Sequence, residues 1–182
     1  MAEPAPLLAR TPALSGARSG RFGAGGAAPT LIEAAPDLEM TQVIAAPGED
    51  VEALLADRAA REDLLWLGPG QRLALGVAAS ALADLAPRAS AIAQTGSRGR
   101  IGVSGPGAEA LLARGVGADL HLSRFAAGAS APMLFGRIGI VLARRGPYSW
   151  EILVPRSYAL DLWDALIEAG RAEGVEARGP AG

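Results

Sequence analysis

From residue 40 onward, apolar positions recur with two periods, and the elements follow from them in order. MTQVIAA (40–46) is rich in strand-forming residues. After Gly48, Val51, Leu54 and Leu55 repeat at helical spacing behind Glu49 and Asp50, carboxylates suited to a helix N-terminus, so 49–63 reads as a helix. Apolar runs at 64–67 and 73–77 flank Gly68-Pro69-Gly70 and predict a hairpin. Ser80 is placed to cap a short helix through Leu85 that Pro87 ends, and 91–95 resumes as a strand. A short strand at 100–103 leads through a glycine-rich turn into a helix whose first turn tolerates Pro106 and which Gly115 can stop. An apolar stretch reaches Leu142, and a turn at Arg145-Gly146-Pro147 precedes a strand at 148–154. In the last helix Ser157 is the expected N-cap. Leu160, Trp163, Leu166 and Ile167 form one stripe there, with Asp161, Asp164 and Glu168 facing away.

Strands that come in pairs between helices predict an α+β domain, a mixed and largely antiparallel sheet with helices packed on it, spanning 37–172. The chain has 182 residues, enough for one ordinary core. Residues 1–36 hold five prolines and the glycine-dense run SGRFGAGGAAP, which disfavours helix and strand interiors. They are expected to form an extended arm. Leu7, Leu8, Leu14, Phe22, Leu31 and Ile32 are apolar side chains that a solvated tail would not need, and they are the candidate partner interface. Residues 173–182 read as a polar tail.

Composition narrows the chemistry. No apolar run approaches the roughly 18 residues of a membrane span, and the N-terminus lacks the layout of a secretory signal, so a soluble, cytoplasmic protein is expected with no membrane partner. A net charge of −2 gives no basic field for a nucleic acid. Cysteine is absent, which removes disulfides and thiolate chemistry. All 17 basic residues are arginine, so there is no lysine for a phosphate loop or a Schiff base.

Three constellations remain. Asp119, His121 and Ser123 would share one face of an extended segment, but neighbours there lie about 6.6 Å apart and project side by side, which does not make a catalytic triad. Gly23-Ala24-Gly25-Gly26-Ala27-Ala28 matches a dinucleotide fingerprint in letters while lacking the strand before it and the helix after it. The glycines of 102–107 do lie between a strand and a helix, where a tight turn explains them. One histidine and scattered carboxylates offer no metal spacing. No catalytic, cofactor-binding or metal residue is therefore expected on this chain, and Trp66, Trp150 and Trp163 are expected to pack rather than to stack a cofactor.

The succession LWLGPGQRLALGV (65–77), RIGVSGPGAEALLARGVGADLHLSRF (100–125) and WEILVPRSYALDLWDALIEAG (150–170) resembles the gamma subunit family of heterotetrameric sarcosine oxidase. The family features stand here as Trp66 to Pro69, Gly105-Pro106, Asp119-Leu120 with Phe125, and Arg156-Ser157. A family cysteine before the Asp-Leu element is replaced, since Gly117 and Ala118 occupy that place. A looser resemblance is to the first domain of the aminomethyltransferase of the glycine cleavage system. The resemblance implies a non-catalytic gamma subunit, partnered by alpha, beta and delta subunits and chiefly by the large alpha subunit, in a complex that oxidatively demethylates sarcosine. FAD, FMN, NAD, tetrahydrofolate and zinc would be held by the other subunits. The alternatives are the equivalent subunit of an N-methylglutamate dehydrogenase-type complex, and a free-standing folate-binding, aminomethyltransferase-like protein.

Overall fold

The longest apolar runs, in 138–143 and 150–154, are buried on both faces, and this sets the architecture. A computed structural model describes residues 11–23 and 29–180. In chain order its elements are β1 (Gly20–Phe22), β2 (Thr30–Ala34), β3 (Met40–Ala45), α1 (Val51–Leu55), β4 (Leu64–Gly68), β5 (Gln71–Leu75) and β6 (Ala89–Ala93). They continue with β7 (Arg98–Ser104), α2 (Ala108–Ala113), β8 (Ser130–Phe135), β9 (Ile138–Gly146), β10 (Ser149–Pro155), α3 (Ala159–Gly170) and β11 (Val175–Arg178). Short 3-10 segments fall at Arg61–Asp63, Ala79–Leu85 and Arg156–Tyr158.

Two sheets form. One has seven strands in the order β1-β11-β2-β7-β10-β9-β8, and the other four in the order β4-β5-β3-β6. All pairings are antiparallel except β11 with β2. Strand parity then sorts the side chains into layers. Ile140, Leu142, Trp150, Ile152 and Val154 face α2 and α3. Val141, Ala143 and Leu153, on the opposite face, meet Met40, Leu65, Leu73 and Leu75 of the smaller sheet. That sheet turns Val43, Leu64, Ala74 and Ala89 outward onto α1 and the 79–85 segment. The result is helix, sheet, sheet, helix. Central strands sandwiched in this way read as unbroken apolar runs rather than alternating ones.

The α+β expectation holds, with helices on both outer faces and two sheets where one was expected. Several elements differ in detail. The 49–63 helix is a five-residue α1 that Asp50 caps by accepting the Glu52 N–H at 2.9 Å. Ser80 caps nothing: the 79–85 segment is 3-10 and begins without a side-chain cap, and α3 likewise starts after Tyr158 with no such bond from Ser157. Leu160 is exposed on α3, and Leu162 takes its place in the core beside Trp163, Leu166 and Ile167. The stretch ending at Leu142 is the β8–β9 hairpin, turning at Gly136-Arg137.

The larger correction concerns both ends. Over its described residues, the expected arm supplies β1 and β2, and the expected polar tail supplies β11. β2 lies inside the larger sheet between β11 and β7. Leu14 and Ile32, expected at a partner interface, are buried in this chain's own core. Phe22 packs half-buried against that core and Leu31 is half-buried on the opposite face of β2. Leu7 and Leu8 lie outside the described residues, as do 24–28 of the glycine run. The physical reason is that β2 and β11 complete each other from opposite ends of the sequence, a pairing that no local pattern announces.

Candidate functional site

The groups with chemical potential converge at the end of β9 and β10. Asp119, His121 and Ser123 are in a turn, not a strand. The Asp119 carboxylate accepts the His121 backbone N–H at 2.9 Å, and Ser123 Oγ sits 2.8 Å from His121 Nδ1. A triad requires the acid on Nδ1 and the nucleophile on the far ring nitrogen. Here the acid reaches backbone and the hydroxyl takes the acid's place, so the three residues cap their own turn.

That turn is pinned from below by Arg144, whose parity on β9 aims it at the helix-side core, where it is almost fully buried. Its guanidinium lies over the Trp150 ring at 4.4 Å. All five of its donors are used. Nε bonds Gly146 O, Nη1 bonds Leu120 O and Phe125 O, and Nη2 bonds Pro147 O and Glu109 Oε2. One side chain thus ties two turns and α2 to the sheet. Trp150 Nε1 is buried without an acceptor among the described residues.

On the opposite face of the same strands, Glu151 is buried between the sheets and clasped by two arginines. Arg100 reaches Oε1 from Nε at 2.7 Å and from Nη2 at 2.6 Å, and Arg145 grips Oε2 from Nε at 2.7 Å and from Nη2. Glu62 O accepts from Arg145, and Pro36 O from Arg100 at 2.8 Å. These groups line a polar cleft of about 330 Å³. Three guanidinium hydrogen bonds and a fourth ion-pair contact engage both carboxylate oxygens, an arrangement that favours the ionised, paired form of a carboxylate over a free base. The cluster ties β7, β9 and β10 of the larger sheet together.

The glycine turn before α2 is also self-satisfied. Gly105 adopts a left-handed φ of +108° that favours glycine, its N–H donates to Tyr148 O at 3.0 Å, and its carbonyl accepts from Ala108 N–H at 3.1 Å. The perturbed ionisations lie elsewhere. Hydrogen bonds from Arg88, Arg58, Arg114 and Arg178 hold the surface carboxyls of Glu49, Asp84, Glu173 and Glu176 below the usual carboxylate range. Burial lowers half-buried Arg98, whose Nε has no acceptor among the described residues. Among those residues, no three His, Asp or Glu side chains gather as a metal site, and no helix is long and apolar enough to cross a membrane. Trp150 and Trp163 are core residues, whereas Trp66 is partly exposed. Sequence reading missed Arg144 and the Glu151 clasp. Their signal was charge embedded in apolar strands, as in LARRG and SWEILVP.

These layers, with a mixed sheet and an antiparallel sheet face to face, define an α+β domain of aminomethyltransferase type. The chain belongs to the GCVT N-terminal domain family, which matches residues 58–181. No curated protein sequence matches it. Among solved structures it is similar to a chain of the heterotetrameric sarcosine oxidase from Corynebacterium sp. U-96. That superposition has a TM-score of 0.67 and 24% identity, covering 86% of this chain and 89% of the other. It is also similar to the glycine cleavage system aminomethyltransferase T from Bartonella henselae, with a TM-score of 0.55 and 17% identity over 83% of this chain and 48% of that one. The chain therefore spans about half the length of that transferase.

Proposed function

We propose that this chain is a gamma-type subunit of a heterotetrameric sarcosine oxidase-like complex, a structural component with no catalytic group of its own. The observation that carries this reading is reciprocal coverage. The likeness extends over 86% of this chain and 89% of a chain in a heterotetrameric oxidase, but over only 48% of the aminomethyltransferase. The engagement of the chemical groups supports the silent role: Asp119 accepts a backbone N–H within its own turn, and Glu151 is clasped by two arginines. In this reading the alpha, beta and delta subunits hold FAD, FMN, NAD, tetrahydrofolate and zinc, and sarcosine is demethylated there.

Co-expression with those three subunits tests it. The chain is expected to co-elute with them as one flavin-absorbing species, and the isolated chain to give no heat on calorimetric titration with tetrahydrofolate. Assembly of the other three while this chain elutes alone would overturn the subunit reading. Saturable tetrahydrofolate binding by the isolated chain would favour a free-standing folate-binding protein instead.

A further inference from the structure

A sheet edge exposes a row of unpaired backbone donors and acceptors, and folded proteins blunt such edges with proline, charge or a cover. Three of the four sheet edges among the described residues are treated in that way. β1 is three residues long and carries Arg21, whose side chain is 80% exposed. β8 is interrupted by Pro132, and β4 lies alongside it, with the Trp66 N–H donating to Ser130 Oγ at 2.7 Å. β6, an outer strand of the smaller sheet, has the sequence ASAIA, with neither proline nor charge. Its register fixes which of its groups are free. Ala46 N–H donates to Arg88 O at 2.8 Å and Gln94 N–H to Met40 O at 2.7 Å, so residues 88, 90, 92 and 94 turn their backbone groups toward β3. The N–H and C=O groups of Ala89, Ala91 and Ala93 therefore point outward. Ser90, Ile92 and Ala93 are exposed, Ile92 at 44%. Arg88, the cation next to the strand, is already held by Glu49.

We propose that β6 is a strand-addition site, at which an extended, uncharged segment of a neighbouring subunit pairs with the outer side of the strand and lengthens the smaller sheet. The outward groups themselves define the occupant. Donors and acceptors repeated along Ala89, Ala91 and Ala93 are matched in spacing by the backbone of another strand. Strand parity then sets what that segment carries. Ala89 and Ala91 lie on the side that packs with Leu82 and Leu85 of the 79–85 segment, and Ser90 and Ile92 lie on the other, where a branched apolar residue would cover Ile92. A second copy matches less well. Two five-residue strands meet along a strip about 17 Å long and one strand wide, well short of the roughly 1,200 Å² that a stable pair buries. A subunit of a larger assembly is held elsewhere as well. That the segment belongs to an oxidase-type complex rests on the reading above, whereas the open edge does not.

Two measurements test the edge. In the first, the isotopically labelled full chain is titrated with the peptide acetyl-Thr-Val-Thr-Val-Thr-amide. Amide shifts confined to β6 and its flanks, residues 88–94, are expected at roughly millimolar peptide, and they are lost when every peptide nitrogen is methylated. No localised shift, or equal shifts from both peptides, would overturn the proposal. In the second, Ala91→Pro and Ile92→Lys are compared with the unaltered chain in the co-expressed complex. The Ala91 N–H points away from β3, so proline there removes no ladder hydrogen bond, and Ile92 is exposed, so both variants should melt close to the parent. Each variant is expected to weaken retention by about tenfold or more. Undiminished retention of both sinks strand addition and leaves the subunit reading standing. If the unaltered chain itself fails to co-elute, the subunit reading falls and the peptide titration still judges the edge. A dimer of the isolated chain that Ala91→Pro abolishes would make a second copy the occupant, against the proposal.

Discussion

Arg144 joins three segments that are remote in sequence: the 119–125 turn, the 146–147 turn and α2. Five donors meet five acceptors, four of them backbone carbonyls, in a fork geometry that a lysine cannot copy. An ammonium has three donors, so Arg144→Lys leaves at least two acceptors unpaired. At about 1–3 kcal/mol for each orphaned buried group, the expected loss is about 2–6 kcal/mol in denaturant melts. A change below about 1 kcal/mol would mean that water replaces the fork. In sequence Arg144 stands beside Arg145 at the end of an apolar run, which reads as the solvated start of a turn. The informative signal was parity, because Ile140 and Leu142 share its face and are buried. The spacing argument against a triad assumed an extended segment, which Asp119, His121 and Ser123 do not form; they cap a turn whose Leu120 and Phe125 carbonyls are held by Arg144.

At the scale of elements, the β4–β5 hairpin, β3, β7, β10 and α3 were legible because local signals fix them: Gly68-Pro69-Gly70, apolar alternation, and a stripe at helical spacing. β2 and β11 were not. TLIEA and VEAR are short, and each is stabilised by the other across nearly the whole chain, with β7 closing the far side of β2. The masking effect of Pro29 and Pro36 at either end of β2 made the segment look like an arm, although prolines beside a short strand only bound it. The two descriptions differ measurably. With Ile32 fully buried in the helix-side core, Ile32→Ala is expected to cost about 2–5 kcal/mol. A docking residue exposed in the free chain would change stability by no more than about 0.5 kcal/mol. Deleting residues 1–36 is likewise expected to abolish a cooperative melt, since it removes a strand bonded on both sides. A truncated chain that melts as sharply as the parent would restore the arm.

Across the whole molecule, arginine is the only cation, and its pairs pin the outer layers to the sheets. Arg88 with Glu49 and Arg58 with Asp84 cross the α1 side, and Arg114 with Glu173 ties the end of α2 to the end of α3. Arg178 holds Glu176 along β11 and also reaches Glu33 of β2. The carboxyls of Glu49, Asp84, Glu173 and Glu176 titrate below their ordinary values in the folded protein, chiefly because of the arginine hydrogen bonds. The unfolded chain therefore binds protons first as pH falls. Stability from these pairs is present above the unfolded carboxylate pKa of about 4, and it is lost as pH drops through the lower folded values. Each pair lies at the surface, open to solvent on at least one side, and is individually weak, so the effect should be a shared slope, not a step at one residue. The melting temperature is expected to be nearly level from about pH 7 to 5 and to fall below about pH 4. Asp84→Asn combined with Glu173→Gln should flatten that fall, and molar salt, which shortens the screening length to about 3 Å, should flatten it in the parent. An acid limb of the same steepness in the double variant, or one insensitive to salt, would rule out these outer pairs as its source.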